Sequence, residues 1–429
     1  MNNQKVELLS PAGNLEKLKI AIKYGADAVY AGVSHFSLRI RAGKEFTFET
    51  FKEGIDYAHA HGKKVYATIN GFPFNSQIEL LKKHIATMAA LKPDAFIVAA
   101  PGVVKLCREI APQIDIHLST QANVLNYLDA QVFWDMGVKR IVVAREISLK
   151  DVTEIKKHLP DMEIEIFVHG SMCFAYSGRC LVSAVQMGRV PNRGSCANDC
   201  RFQYTLYAAN EDHNTLFRLE EEPGVGTYIF NSKDMNLASH IKEILDSGAV
   251  DSLKIEGRTK SPYYAAVTAK AYRNAIDDYY AGRFEPDLYQ KELHTTKNRG
   301  FTDAYLIHRP FEKTDSQNHD YALSKGSYEV TGLVTEDEEH FFCKYKVYPN
   351  EDIEIFTPND EVLQECENEI GKIFKKDDGL YYINFKKILT ETNKELESVH
   401  SGNINKIKLP GKLPYLTMFR VENIDQIVE

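Results

Sequence analysis

The sequence predicts a (β/α)8 TIM-like barrel with a cysteine-bearing insertion after strand seven, plus a small C-terminal all-β domain. Three observations predict it. Over the first 260 residues, eight short apolar runs alternate with amphipathic helical stretches, the order that winds into a parallel barrel. The stretch between the seventh and eighth runs, about 171–248, is long and holds four of the seven cysteines. From about residue 326 the pattern changes to alternating strands joined by Asp, Asn and Gly turns, the mark of an antiparallel unit.

The barrel strands are read at 6–9, 28–32, 64–69, 95–99, 116–119, 140–144, 163–168 and 252–255. Each is rich in Val, Ile, Leu or Phe and nearly continuous in hydrophobicity, as strands buried on both faces require. The first helix illustrates the helical pattern. Across 14–24, Leu15, Leu18 and Ile22 share a face, Lys17 and Lys23 lie elsewhere, and Asn14 is placed as the cap. The first strand–helix turn reads Ser10-Pro11-Ala12-Gly13-Asn14, without the glycine spacing of a dinucleotide fold. Inside the insertion, 204–208 and 227–231 read as strands and 237–247 as a helix. A helix at 263–280 completes a first domain of 1–283. An extended connector is expected at 284–325 and a barrel-like β domain at 326–411, with strands such as 341–347, 352–356 and 381–385; a tail follows at 412–429.

Hydrophobic residues make up 44% of the 429, enough for a packed core that needs no covalent staple. The start of the chain is charged and no apolar run is long enough to span a bilayer, so a cytoplasmic protein with no membrane contact is expected. An odd number of cysteines in that compartment points to metal or redox chemistry rather than disulfides. The net charge of −8 argues against a generic nucleic-acid binder. The charge is uneven, however. Residues 325–411 hold eleven Lys against eighteen Asp or Glu, whereas 171–202 sets Arg179, Arg189, Arg193 and Arg201 against Asp199 alone. A local nucleic-acid contact is compatible with that distribution.

Cys173, Cys180, Cys196 and Cys200 follow the spacing C-x6-C-x15-C-x3-C. Soft thiolates suit iron or zinc. Structural zinc favours tight C-x2–4-C pairs, and only Cys196 and Cys200 fit that. A [4Fe–4S] cluster is the first reading, zinc the alternative. Cys107, Cys343 and Cys366 read as ordinary core thiols. His169 ends strand seven and is expected in the barrel mouth, as a general base, a substrate contact or a brace. Lys254, Glu256 and Arg258 fall on one side of strand eight by alternation. Ionisable groups there must pair with each other or meet a ligand. Glu7, Asn70, and Arg145 with its neighbour Glu146 have the same two readings. Arg39 and Arg41, after strand two, suit carboxylate or phosphate recognition. No H-E-x-x-H helix or G-x-S-x-G elbow is present.

With these residues in view the chain resembles the collagenase-like peptidase family, number thirty-two among peptidases of unknown type. The resemblance rests on Glu7-Leu8-Leu9-Ser10-Pro11-Ala12-Gly13, Phe167-Val168-His169-Gly170-Ser171-Met172-Cys173, Ser177-Gly178-Arg179-Cys180 and Arg193-Gly194-Ser195-Cys196-Ala197-Asn198-Asp199-Cys200-Arg201. Asn231-Ser232-Lys233-Asp234, Lys254-Ile255-Glu256-Gly257-Arg258 and Asn298-Arg299-Gly300-Phe301-Thr302 extend it over nearly the whole chain. The resemblance implies oxygen-independent hydroxylation with a [4Fe–4S] cluster on four cysteines. Its branches act in ubiquinone synthesis, on ribosomal RNA and on tRNA. The single β domain and the 298–302 block look most like the tRNA branch, which implies 5-hydroxyuridine at the wobble position and a requirement for prephenate. Some ubiquinone-branch members draw a ligand from the region of Ser232; this chain has Cys200 instead. The family's name keeps a peptidase as the alternative, and a cluster-bearing scaffold for a partner protein is a third reading.

Overall fold

The computed structural model describes residues 5–33, 36–37, 46–210, 215–219, 231–308, 316–318 and 326–422. Eight parallel strands form a closed barrel: β1 (Glu7–Pro11), β2 (Ala28–Ala31), β3 (Lys64–Ile69), β4 (Ala95–Val98), β5 (Asp115–Leu118), β6 (Arg140–Val142), β7 (Glu163–Ser171) and β8 (Ser252–Ile255). Each pairs with the next. β8 pairs with both β7 and β1, which closes the ring without a free edge. The eight expected strands are therefore all present, and in order.

Apolar helix faces coat the ring. In helix Leu15–Lys23, Leu18, Ile20, Ala21 and Ile22 are buried, and the Asn14 side chain accepts from the Lys17 N–H. Helix Pro262–Tyr280 starts on Pro262 behind the Ser261 cap and buries eleven of its nineteen residues, because it lies between the barrel and the second domain.

Two expected boundaries shift. The stretch read as an extended connector begins with helix Pro286–His294. Tyr289 and Leu293, four apart on one face, are buried there, a spacing that stabilises a helix once a partner surface is near. The tail expected after 411 carries strand Met418–Glu422. That strand lies between Asp352–Phe356 and Tyr328–Val334 in an eight-stranded antiparallel sheet. Its alternation puts Phe419 into the β-domain core and Met418 against the barrel. Of the strand read at 227–231, residues 227–230 lie outside the described residues. The hairpin Leu206–Asn210 with Thr215–Leu219 occupies the neighbouring part of the insertion.

The second domain joins the barrel through one apolar patch. Ile20, Tyr24, Tyr263 and Val267 pack on Leu333, Phe356, Leu416 and Met418. The Tyr24 hydroxyl lies 3.0 Å from the carbonyl oxygens of both Phe356 and Leu416. Among the described residues, no helix is long and apolar enough to cross a membrane.

Candidate active site

A file of charges runs through the barrel interior. The Arg140 guanidinium, on β6, donates to Glu7, to Glu163 at 2.8 Å and to Glu165 at 3.1 Å. Glu7 also accepts from the Tyr66 hydroxyl at 2.6 Å and from Ser252 at 3.0 Å. Burial works to raise the Glu7 carboxyl, but Arg140 and Tyr66 hold it below its ordinary value. Glu165 accepts from Lys254 Nζ at 2.7 Å, and that ammonium lies 4.4 Å from the Tyr30 ring centre. Alternation brings these groups together. Glu7, Glu165 and Lys254 occupy inward positions of adjacent strands.

Above Lys254 opens a cavity of about 160 Å³. Asn70, Arg145, Lys254, Glu256 and Arg258 line it, from the C-terminal ends of β3, β6 and β8 and the turns beyond, the end at which barrels carry their chemistry. Arg145 donates to Glu256 at 3.1 Å and stacks 3.9 Å over the Phe167 ring centre. Arg258 donates to Ser37 at 2.8 Å and to Thr68 at 3.2 Å. Cys173, Cys180, Cys196 and Cys200 line the same cavity. Burial raises the thiols of Cys180 and Cys200, and the neighbouring cysteines push both further up. Each of these two thiols therefore lies within reach of the charge of Cys173 and Cys196. Among the described residues no three His, Cys, Asp or Glu are gathered tightly enough to hold one metal ion. Cys107 and Cys343 are buried elsewhere; burial pushes their thiols to about 12 and about 11.

The insertion is seated on the barrel by backbone contacts. Glu146 accepts from the Ser177 N–H at 2.8 Å, and the Phe72 N–H donates to the Asn192 carbonyl at 3.3 Å. At Gly178 the chain has a φ of +75°, and a Cβ there would lie 2.1 Å from the Gln121 carbonyl oxygen. Only glycine fits that approach. Gly178→Ala is expected to loosen the insertion. Trypsin should cut at Arg179, Arg189 and Arg193 severalfold faster than in the wild-type protein, with about 1–2 kcal/mol lost from stability. An unchanged digestion pattern would mean that this contact does not hold the insertion down.

Two expected positions are corrected. His169 does not face the barrel mouth. β7 and β8 slip by one residue, so that Lys254 pairs with Phe167 but Ile255 pairs with His169. This bulge reverses the side on which the next residue falls. His169 is buried under the helix Pro262–Tyr280, with its ring 5.7 Å from Tyr264 and 5.4 Å from Phe301. Burial pushes its imidazole down to about 3, so it is neutral through the neutral range and does not touch the cavity. Glu7, expected as a substrate contact, is instead the far end of the interior charge file, because it starts β1 rather than ending it. Arg39 and Arg41 lie outside the described residues. Ser119, Gln121, Thr68 and Tyr30 line the cavity and were not foreseen. The rule that singled out Asn70, a polar residue ending a barrel strand, would have found Ser119 and Gln121 just past β5.

The model of peptidase family U32 matches residues 13–316. A protein named tRNA hydroxylation protein P from Helicobacter pylori is 64% identical over 418 residues, covering 97% of this chain and 99% of that one. A protein of the same name from Escherichia coli is 39% identical over 414 residues, covering 86% and 90%. A protein named Collagenase from Porphyromonas gingivalis is 31% identical over 320 residues, covering 72% and 75%.

Proposed function

The chain belongs to peptidase family U32, and from that premise we propose that it hydroxylates tRNA, converting the wobble uridine to 5-hydroxyuridine without molecular oxygen. The observation that carries this reading is a juxtaposition. The four cysteines of one insertion ring the same cavity that Arg145, Lys254, Glu256 and Arg258 line from the barrel. A cavity of about 160 Å³ is the size that takes one six-membered ring, since a benzene-binding cavity measures about 150 Å³. A base must leave its stack to enter such a well. The mouth suits an unstacked RNA loop: Phe174 and Tyr176 are exposed at its edge, and Arg193 stacks 3.9 Å over the Phe74 ring centre beside it. The names carried by the relatives from Helicobacter pylori and Escherichia coli support the tRNA hydroxylation part of this reading.

Cys173, Cys180, Cys196 and Cys200 would hold a [4Fe–4S] cluster. A cluster spreads its ligands over several irons, where zinc draws them onto one point, and these thiols surround a cavity. When bound, such a cluster would supply electron transfer beside the substrate: replacing the C5–H of uracil by C5–OH with oxygen from water releases two protons and two electrons, and the electrons would pass through it to an external electron acceptor. The chain's own residues do the remaining work. Arg145 is held in place by Glu256 and Phe167, and Arg258 by Ser37 and Thr68, so both present oriented charge to an anionic group. Prephenate, a dicarboxylate, is the small molecule we assign to them, occupying the well in turn with the base rather than together with it. The reaction would take place in the cytoplasm.

A peptidase finds less support. The described residues that line the cavity include no histidine to pair with a serine or cysteine nucleophile.

The test is nucleoside analysis of tRNA from a strain lacking the gene, with and without the gene restored. The expected result is loss of 5-hydroxyuridine and its return. An unchanged 5-hydroxyuridine content would overturn the reading.

A further inference from the structure

One exposed aromatic ring beside the well has its position set by two segments of the chain. Phe74 lies on the loop after β3, just beyond Asn70, and is 58% exposed. The Arg193 guanidinium, from the cysteine insertion, lies 3.9 Å over its ring centre. Arg193 also donates to the Gln77 side chain at 3.0 Å, and the same Gln77 atom accepts from the Phe74 N–H at 3.0 Å. Two N–H donors on one atom mark it as the amide oxygen. Ring, guanidinium and amide therefore brace one another with no ligand present. The rim of the well is close by. Asn192 and Gly194, on either side of Arg193, line the well, as does Asn70.

A single exposed apolar side chain is ordinary on a protein surface. A ring whose plane is already held is better suited to a ligand, because binding has less freedom to remove. One face of the Phe74 ring is covered by the guanidinium. With 58% of the residue still exposed, the opposite face is left to water. Every nucleobase has a flat face that can lie on such a ring.

We infer that Phe74 stacks the base adjoining the one that enters the well. The assignment rests on the hydroxylation reading above and deepens it. A base that turns out of a strand leaves its neighbour without a stacking partner. Phe74 supplies a replacement at the rim, so the strand is held open while the uridine occupies the well. Arg193 is then a positioning residue, since it fixes the plane of the ring from behind.

The test uses synthetic anticodon stem–loop RNAs with 5-iodouridine on the 5′ or the 3′ side of the wobble uridine, and the full-length protein purified without oxygen. Ultraviolet light joins that base to an aromatic ring stacked on it, and mass spectrometry locates the joined residue. One of the two RNAs is expected to crosslink at Phe74. Affinities for the unmodified stem–loop give a second readout. Phe74→Leu, matched to wild type in melting temperature and iron content, is expected to bind about tenfold more weakly, while Phe74→Trp, which restores a ring, stays within about a factor of two. A role in packing alone would be served by leucine. Crosslinks found only at other residues would overturn the assignment, as would Phe74→Leu protein that binds like wild type. If the wild-type protein does not bind the stem–loop, the tRNA reading itself falls, and this assignment with it.

Discussion

Cys196→Ala protein, purified without oxygen, is expected to hold far less iron and sulfide than the wild-type protein, and cells that depend on it to lose 5-hydroxyuridine from their tRNA. The variant is informative because of where Cys196 lies. Its side chain is exposed, and its contacts are long: 3.9 Å to the Ser183 hydroxyl and 3.8 Å to the Asn198 side chain. The backbone around it is held independently, by the Ala197 N–H donating to Ser183 at 3.1 Å. Removing an exposed sulfur should change stability by no more than about 0.5 kcal/mol. Loss of iron would then report ligation rather than unfolding. Iron and sulfide assays with the visible spectrum measure the first effect, and nucleoside analysis the second. A variant without iron that still modifies tRNA would refute a role for the cluster; one that keeps its iron would remove Cys196 from the ligand set.

Arg140→Leu should act on stability instead, lowering it by about 3–5 kcal/mol. The Arg140 side chain is 5% exposed and that of Glu165 is 0% exposed. Without the guanidinium, Glu165 would keep Lys254 as its partner, and Glu7 would keep only the weaker influence of Lys64. An uncompensated buried carboxylate is the costly state. The pH dependence has a definite sign. The Glu7 carboxyl lies below its ordinary value of 4.5 in the folded protein, so its contribution is fully present above that value and is lost as pH falls through the lower, folded one. In Arg140→Leu the lowering influence is gone and burial dominates. The acid-side loss of stability should therefore become shallower. Urea melts at pH 7 and across pH 3–5 measure both effects. A loss below about 1 kcal/mol at neutral pH would mean that water already screens this interior network.

What could be read beforehand divides along physical lines. The barrel was legible because strands buried on both faces leave continuous apolar runs, and β1 to β8 each left one. The cysteines were legible because four thiols in so short a stretch are a local feature. Lys254, Glu256 and Arg258 were legible because alternation over a few residues needs no tertiary knowledge. His169 was misplaced because a single slipped residue beside Val168 reverses that alternation, and no residue type announces the slip. Glu7 was misread because an acidic residue in a barrel strand looks the same whether it faces the ligand end or the opposite one.

The patch that joins the two domains also sets a schedule for synthesis. Ile20 and Tyr24 are covered by Leu416 and Met418, which leave the ribosome about 400 residues later. At roughly 5–20 residues per second, that apolar face waits on the order of 20–80 seconds for its cover. During that interval the nascent barrel displays an uncovered aromatic surface on its first helix, and a chaperone that shields it would act between the synthesis of these two segments.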